Sequence, residues 1–142
     1  VFRNEAIDAT HGHTFYQFDA IVVDKDLSIA DLIGTAKAFL KGLYKREVDV
    51  RLRPGHFPFV EPGFEMDMKI SYSVQGEQKE KWMEIFVCVM IHPLVLTEGG
   101  IDPNVYNGFA FSFGIDRLTF MRYGLQDIRH IHSADLRFLS QF

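Results

Sequence analysis

Near the start of the chain, an arginine, an acid and an aromatic residue are spaced so that they could form one nucleotide-binding group. Arg3 and Glu5 precede a loop that contains His11, and Phe15 follows that loop. If the flanking segments are adjacent strands, Arg3 and Phe15 lie side by side. A guanidinium fits phosphate oxygens, a phenyl ring offers a flat face to a base, and a carboxylate can accept from an amino group. A structural Arg–Glu ion pair is the more common use of such neighbours.

A second group combines two aromatic residues and an acid in a segment stiffened by proline. Phe57 and Phe59 flank Pro58, and Glu61 precedes Pro62. Proline fixes its own backbone and restricts the residue before it. The segment is either a rigid loop whose rings cap the core or a preformed aromatic slot beside a carboxylate, and spacing favours neither.

The third group is an apolar strand with small residues on one face, followed by a helix that carries an arginine. Gly108, Ala110 and Ser112 alternate with phenylalanines, and Arg117 lies about one turn into the helix that begins after Gly114. Small residues leave room for a ligand or for another backbone. Arg117 could reach back over that open face, although close packing would explain the small residues equally well.

Hydrophobic periodicity predicts the elements that must position these groups. The predicted strands cover 1–5, 15–24, 48–53 (ended by Pro54), 64–74, 81–91 and 109–113. Ser28 and Asp31 resemble a capping box and begin an amphipathic helix, and another helix ends near Gly124. The wholly apolar face of the strand 15–24, which includes Tyr16 and Phe18, is expected to meet a helix layer. This order predicts one α+β domain over 1–142, an antiparallel sheet flanked by helices and covered on one side.

Composition and motif content argue against several classes of protein and of site. The net charge of −4 over 142 residues lacks the basic excess of a stand-alone nucleic-acid binder. One cysteine, Cys88, excludes an internal disulfide, and no apolar run reaches membrane-spanning length. No glycine-rich phosphate loop follows a strand, so neither a Rossmann fold nor a P-loop is indicated. The His11/His13 and His130/His132 pairs could chelate a metal, but no third ligand has a recognisable spacing.

Taken together and in this order, the three groups resemble the phenylalanyl-tRNA synthetase α-subunit family of class II aminoacyl-tRNA synthetases. Residues 2–5 with 15–17 are similar to motif 2 of that family, and residues 51–62 to its amino-acid pocket signature. Residues 108–117 are similar to motif 3, and residues 123–142 to the family's C-terminus. The resemblance covers essentially the whole chain and implies the class II catalytic fold without motif 1, which precedes motif 2 in the family.

The resemblance implies an ATP site. Arg3 would hold the α-phosphate, Glu5 the adenine amino group and Phe15 the face of the base. His11 would approach the phosphates, and Arg117 would bind the far phosphates, so that Arg3 and Arg117 supply the catalytic cations.

The resemblance also implies an amino-acid pocket. Gln17 and Asp19 would hold the ammonium of L-phenylalanine. The residues around the substrate ring would be Phe57 and Phe59 at its edge, Ala110 at the floor and Ser112 beside it. Glu61 would bind a magnesium ion shared with the β subunit.

By resemblance, the expected function is ATP-dependent activation of L-phenylalanine and its transfer to tRNA(Phe), in the cytoplasm and away from membranes, together with the β subunit. By the same resemblance, the chain is expected to be part of an α subunit, and this fragment alone is expected not to charge tRNA.

Four positions depart from the family pattern. Val87, Val89 and Ser112 stand where glycine is usual, and Asp19 stands where glutamate is usual. Branched valines are stiff and would crowd the pocket, and the shorter Asp19 would reach the ammonium less well. These changes predict impaired or altered phenylalanine binding beside an intact ATP site. They also support a rival interpretation, a non-catalytic paralogue or degenerate fragment that binds a partner.

Overall fold

A computed structural model describes residues 1–57, 60, 62–74, 77–125 and 127–142. Its elements in chain order are β1 (Gln17–Asp24), α1 (Ile29–Tyr44), β2 (Val50–Gly55), β3 (Gly63–Val74), β4 (Glu77–Met90), α2 (Pro93–Glu98), β5 (Asn107–Gly114), α3 (Ile115–Arg122), a 3₁₀ turn (Ile128–His132) and α4 (Leu136–Leu139). The chain forms two compact units: a terminal unit, Val1–Phe18 with Gly114–Phe142, and a central unit, Asp19–Phe113.

The strands form one sheet in the order β1-β5-β4-β3-β2. The pairs β2–β3, β3–β4 and β4–β5 are antiparallel, which confirms the predicted fold class. The strand predicted over 81–91 corresponds to β4, the middle strand of the five, and it is buried at Ile85, Phe86, Cys88 and Val89. A middle strand has neighbours on both edges, and its two faces are the ones most readily covered.

The phenylalanine face of β5 forms the core of the central unit beneath α1. The rings of Phe39 and Phe113 have centroids 4.9 Å apart, and those of Phe86 and Phe113 are 5.0 Å apart. On α1, Leu32 and Leu40 are fully buried, which confirms the helical spacing predicted for its apolar stripe. The small residues of β5 therefore occupy the face of the sheet that α1 does not cover.

Capping at the N-terminus of α1 follows the prediction. The Ser28 N–H donates to Asp31 Oδ2 over 2.8 Å, and the Asp31 N–H donates to Ser28 Oγ over 3.4 Å. Two of the amide groups that a helix start leaves without intrahelical partners are thereby satisfied.

Three predicted features differ in the structure. Residues 1–5 form no strand, and only an isolated bridge joins Phe2 to Thr14. The strand expected to stop at Pro54 continues through it, because β2 is an edge strand and has an unpaired side where no N–H is needed. The apolar face predicted to meet a helix layer remains exposed at Tyr16 (69%) and Phe18 (44%), where the chain enters the edge strand β1.

The C-terminus of α1 offers a stability test. Lys45 adopts a left-handed conformation with φ 56°, and its N–H donates to the Lys41 carbonyl over 2.8 Å. A side chain is strained in this region, whereas glycine is not. We expect Lys45→Gly to raise the free energy of unfolding by about 1 kcal/mol in urea titrations. Lys37→Gly, inside the same helix, should lower it by about 1 kcal/mol, and equal effects of both changes would contradict the prediction.

Candidate active site

In the terminal unit, the first residues pair with the segment that follows the loop. The Phe15 N–H donates to the Val1 carbonyl over 3.1 Å, and the Arg3 N–H donates to the His13 carbonyl over 2.8 Å. This pairing places the Arg3 guanidinium over the Phe15 ring, 5.1 Å from its centroid. The predicted proximity of Arg3 and Phe15 is therefore confirmed, although the pairing is too short to form a strand.

The Arg3–Glu5 ion pair is long and exposed. Nη1 of Arg3 lies 4.0 Å from Oε1 of Glu5, and the two side chains are 54% and 47% exposed. Such pairs contribute little to stability, so both groups can exchange the contact for a ligand at small cost. A base that stacks on the occupied face of Phe15 must displace the guanidinium, which costs about 0.5–1 kcal/mol at an exposed site.

Asp8 organises the loop that carries His11. Its Oδ1 accepts from the N–H groups of Thr10 (2.7 Å) and His11 (2.8 Å), and it lies 3.0 Å from His11 Nδ1. The hydrogen bonds from Thr10 and then His11 hold the pKa of Asp8 well below its usual range. Asp8 was not among the candidate site residues, although an aspartate two residues before a threonine in a polar stretch is a recognisable turn signal.

The helix that carries Arg117 begins against the same segment. The Ile115 N–H donates to the Tyr16 carbonyl over 2.8 Å, and the buried Asp116 accepts the Tyr16 N–H through Oδ1 over 3.4 Å. Arg117 follows as the third residue of α3 and is half-buried. All five residues proposed to bind ATP thus belong to the terminal unit: Arg3, Glu5, His11, Phe15 and Arg117.

In the central unit, the face of the sheet that α1 does not cover carries Ala110, the residue predicted to form the pocket floor. Val89 of β4 is paired with Ala110 on one side and Gly63 on the other, and directly paired residues share a face. A Cβ atom on Gly63 would lie 2.6 Å from Cδ2 of Phe57, and one on Gly55 would lie 3.0 Å from its Cε2. The Phe57 ring therefore lies on the face that also carries Val89 and Ala110.

The next row of this face contains Val87, which is paired with Ser112 on β5 and with Glu65 on β3. Both valines that depart from the family pattern thus stand beside residues predicted to line the pocket. Val89 is 8% exposed and Val87 is half-buried. Gly108 is small because of packing rather than because of the pocket. A Cβ atom there would lie 2.6 Å from the Val22 carbonyl oxygen, so close packing with β1 requires glycine.

The remaining predicted pocket residues are only partly located. Gln17 and Asp19 alternate on β1, Gln17 half-buried in the terminal unit and Asp19 exposed in the central unit. Phe59 and Glu61 lie outside the described residues. Their roles at the substrate ring and at magnesium stay predictions.

The histidine pairs have other contacts. His11 interacts with Asp8, the His130 ring stacks on Phe138 with centroids 5.5 Å apart, and His132 lies against Asp116. Within the described ranges, no group of three or more His, Cys, Asp or Glu is arranged to hold a metal ion. No helix in the described part of the chain is long and apolar enough to cross a membrane.

A buried acid, Asp67, joins β2 to β3. Asp67 is 2% exposed and accepts from Arg53 Nε and Nη2 (2.7 and 2.9 Å) and from Arg51 Nε (2.8 Å). These hydrogen bonds, that from Arg53 first, lower the pKa of Asp67. Two arginines at alternate positions of one strand, opposite an acid, are a signal that could have been recognised. These ion pairs join β2 to β3 close to Gly55 and Gly63, the two glycines that contact the Phe57 ring.

Comparison with known proteins agrees with the sequence resemblance. A family model described as tRNA synthetases class II core domain (F) matches residues 1–142. The phenylalanine–tRNA ligase α subunit of Clostridium perfringens is 48% identical over the whole chain, and that of Leptospira biflexa is 47% identical. The chain spans 43% of the length of each of these relatives.

A pyrrolysyl tRNA synthetase from Desulfitobacterium hafniense has the same fold, with a TM-score of 0.52 at 17% identity. The match covers 91% of this chain and 41% of that one. At this identity the likeness concerns architecture alone. Because the family model matches every residue of the chain, the chain belongs to the class II tRNA synthetase core domain family, in its (F) branch.

Proposed function

We propose that this chain forms part of the α subunit of a phenylalanine–tRNA ligase, which activates L-phenylalanine with ATP and transfers it to tRNA(Phe). The observation that carries the proposal is the grouping of Arg3, Glu5, His11, Phe15 and Arg117 in one compact unit. Relatives named as such α subunits, at 45–48% identity over the full chain, support it.

The proposed first step joins the phenylalanine carboxylate to the α-phosphorus of ATP and releases pyrophosphate. No proton has to be removed from an ionised carboxylate, so the step needs no general base. It needs the reactants held in line and the charge on the phosphate oxygens stabilised. Arg3 at the α-phosphate and Arg117 at the far phosphates would supply preformed positive charge, while Phe15 and Glu5 would hold the adenine.

The proposed amino-acid pocket is formed on the face of the sheet that α1 does not cover. Phe57 and Phe59 would contact the substrate ring above Ala110, with Ser112 beside it. Gln17 and Asp19 would bind the ammonium. An apolar slot favours a phenyl ring but discriminates weakly against an added hydroxyl, so rejection of tyrosine needs more than shape.

Magnesium, the β subunit and the cytoplasmic site of translation belong to the same proposal. Glu61 would contribute one carboxylate beside the substrate phosphates, a ligand set that suits Mg²⁺. The ion would neutralise phosphate charge when bound.

The direct test is ATP–pyrophosphate exchange by the full-length subunit together with its β subunit, with and without L-phenylalanine. Phenylalanine-dependent exchange is the expected result. A folded complex that shows no exchange with any aromatic amino acid would instead favour the rival interpretation of a non-catalytic, partner-binding paralogue.

The valines of β4 give a specific prediction for the pocket. Val89 lies directly across from Ala110, so we expect its isopropyl group to crowd the substrate ring. Val89→Gly should lower the KM for phenylalanine by about tenfold, which corresponds to roughly 1.4 kcal/mol of relieved overpacking, while the KM for ATP stays unchanged.

Cys88→Ala serves as the matched control, because Cys88 is the adjacent residue of the same strand and its side chain is on the opposite face. This control should leave both KM values unchanged. An unchanged phenylalanine KM in Val89→Gly would refute the crowding.

A further inference from the structure

A buried carboxylate beside Arg117 has a partner far along the chain. Asp116 is 5% exposed, and its Oδ2 lies 2.6 Å from Nε2 of His132 in the 3₁₀ turn. A carboxylate oxygen accepts and an imidazole N–H donates, so the tautomer of His132 with its hydrogen on Nε2 makes this contact a hydrogen bond to Asp116. A buried polar group needs a hydrogen-bond partner, and this short contact supplies one for Oδ2 of Asp116.

The other oxygen of Asp116 ties the pair to the segment that contains Phe15. Asp116 Oδ1 accepts the Tyr16 N–H, and the His132 ring stacks on the Tyr16 ring with centroids 6.5 Å apart and planes inclined by 24°. The Tyr16 carbonyl accepts the Ile115 N–H over 2.8 Å. Tyr16 is therefore held through its N–H, its carbonyl and its ring, directly after Phe15.

The 3₁₀ turn that carries His132 also holds the loop of His11. The Ile128 N–H donates to the Ala9 carbonyl over 2.9 Å. One short turn thus connects three pieces of the terminal unit: the loop, the segment 15–16 and the start of α3. Each piece carries at least one residue proposed to bind ATP.

We propose that the Asp116–His132 pair positions the ATP-binding residues, and that His132 is a positioning residue for the nucleotide. The inference rests on the proposed function. Asp116 directly precedes Arg117 on α3. Tyr16, which contacts both Asp116 and His132, directly follows Phe15. Breaking the pair removes the side-chain contact between the start of α3 and the 3₁₀ turn that holds the loop, which would misplace the cations and the stacking ring by small distances. Small misplacements of this kind are costly when catalysis depends on positioning.

The test compares His132→Phe, which keeps an aromatic ring but has no donor, with His132→Gln, whose amide can donate to Asp116. His130→Gln is the matched control, because His130 lies in the same turn and stacks on Phe138. The proteins are full-length subunits purified with the β subunit. ATP affinity is measured by titration calorimetry with MgATP, and the KM values for ATP and phenylalanine by pyrophosphate exchange.

We expect His132→Phe to weaken ATP binding about tenfold, the size of effect expected for the loss of one hydrogen bond. The KM for phenylalanine should stay unchanged, His132→Gln should recover most of the ATP affinity, and His130→Gln should resemble the unmodified protein. Unchanged ATP affinity in His132→Phe overturns the inference. So does equal weakening of ATP and phenylalanine, which indicates a general structural role.

Failure of the proposed function has a separate signature. If the unmodified complex binds MgATP but catalyses no exchange, the proposed function fails and the calorimetric comparison still decides the role of His132. If the unmodified complex does not bind MgATP, both proposals are overturned.

Discussion

Arg3→Ala is expected to lower the rate of phenylalanine-dependent pyrophosphate exchange by about a hundred- to a thousandfold, the range observed when one preorganised donor is removed from developing charge. Arg3 is proposed to contact the α-phosphate, whose oxygens gain charge as the carboxylate attacks phosphorus. Removing the Arg3 side chain should cost little folding stability, because its ion pair with Glu5 is 4.0 Å long and half-exposed. The loss should therefore appear in catalysis and leave folding stability nearly unchanged.

Two further variants sharpen this experiment. Arg3→Lys keeps the charge but not the planar fork, so it should recover only part of the rate. Arg137→Ala removes an arginine that is 92% exposed and paired with Asp135, and exchange should continue at the unmodified rate. If Arg3→Ala exchanges pyrophosphate as fast as Arg137→Ala, Arg3 has no role in phosphoryl chemistry.

Asp67→Asn is expected to lower the free energy of unfolding by about 3 kcal/mol, because it removes the buried charge that holds two guanidinium groups. Arg51 and Arg53 each donate to Asp67 from β2, and Arg53 also pairs with Glu65 over 2.7 Å. The asparagine has nearly the same size, so the loss reflects charge rather than volume. Urea or thermal unfolding of the purified protein measures it.

The same carboxylate predicts a direction for the pH dependence. The hydrogen bond from Arg53, followed by that from Arg51, lowers the pKa of Asp67 in the folded state below its unfolded value of about 3.9. The stabilisation is therefore complete above the unfolded pKa and is lost as the pH falls through the folded pKa. The stability difference between the unmodified protein and Asp67→Asn should be constant near neutral pH and shrink below about pH 4.

Glu80→Gln is the control for this pair of measurements. Glu80 is 57% exposed and pairs with Lys69 over 2.6 Å on the β3–β4 hairpin. An exposed pair contributes at most about 1 kcal/mol. A loss for Asp67→Asn no greater than that for Glu80→Gln would show that burial of the network does not matter for stability.

Local patterns in the sequence predicted the five strands of the sheet and the helices α1 and α3, but not α2, the 3₁₀ turn or α4. The capping box of Ser28 and Asp31 and the hydrophobic periodicity of the predicted strands each involve residues a few positions apart. Backbone geometry translates such spacings into helices and strands directly. The proximity of Arg3 and Phe15 was also predictable, since a single loop joins their segments.

Tertiary structure decided what depends on residues far apart in the chain. The order β1-β5-β4-β3-β2 makes β2 an edge, which is why Pro54 is accommodated within a strand. Pairing of β2 with β3 buries Asp67 between two arginines. The contact of Asp116 with His132 needs the 3₁₀ turn to pack against the start of α3. No local periodicity encodes such contacts, because burial and long-range pairing are properties of packed elements and not of any one element alone.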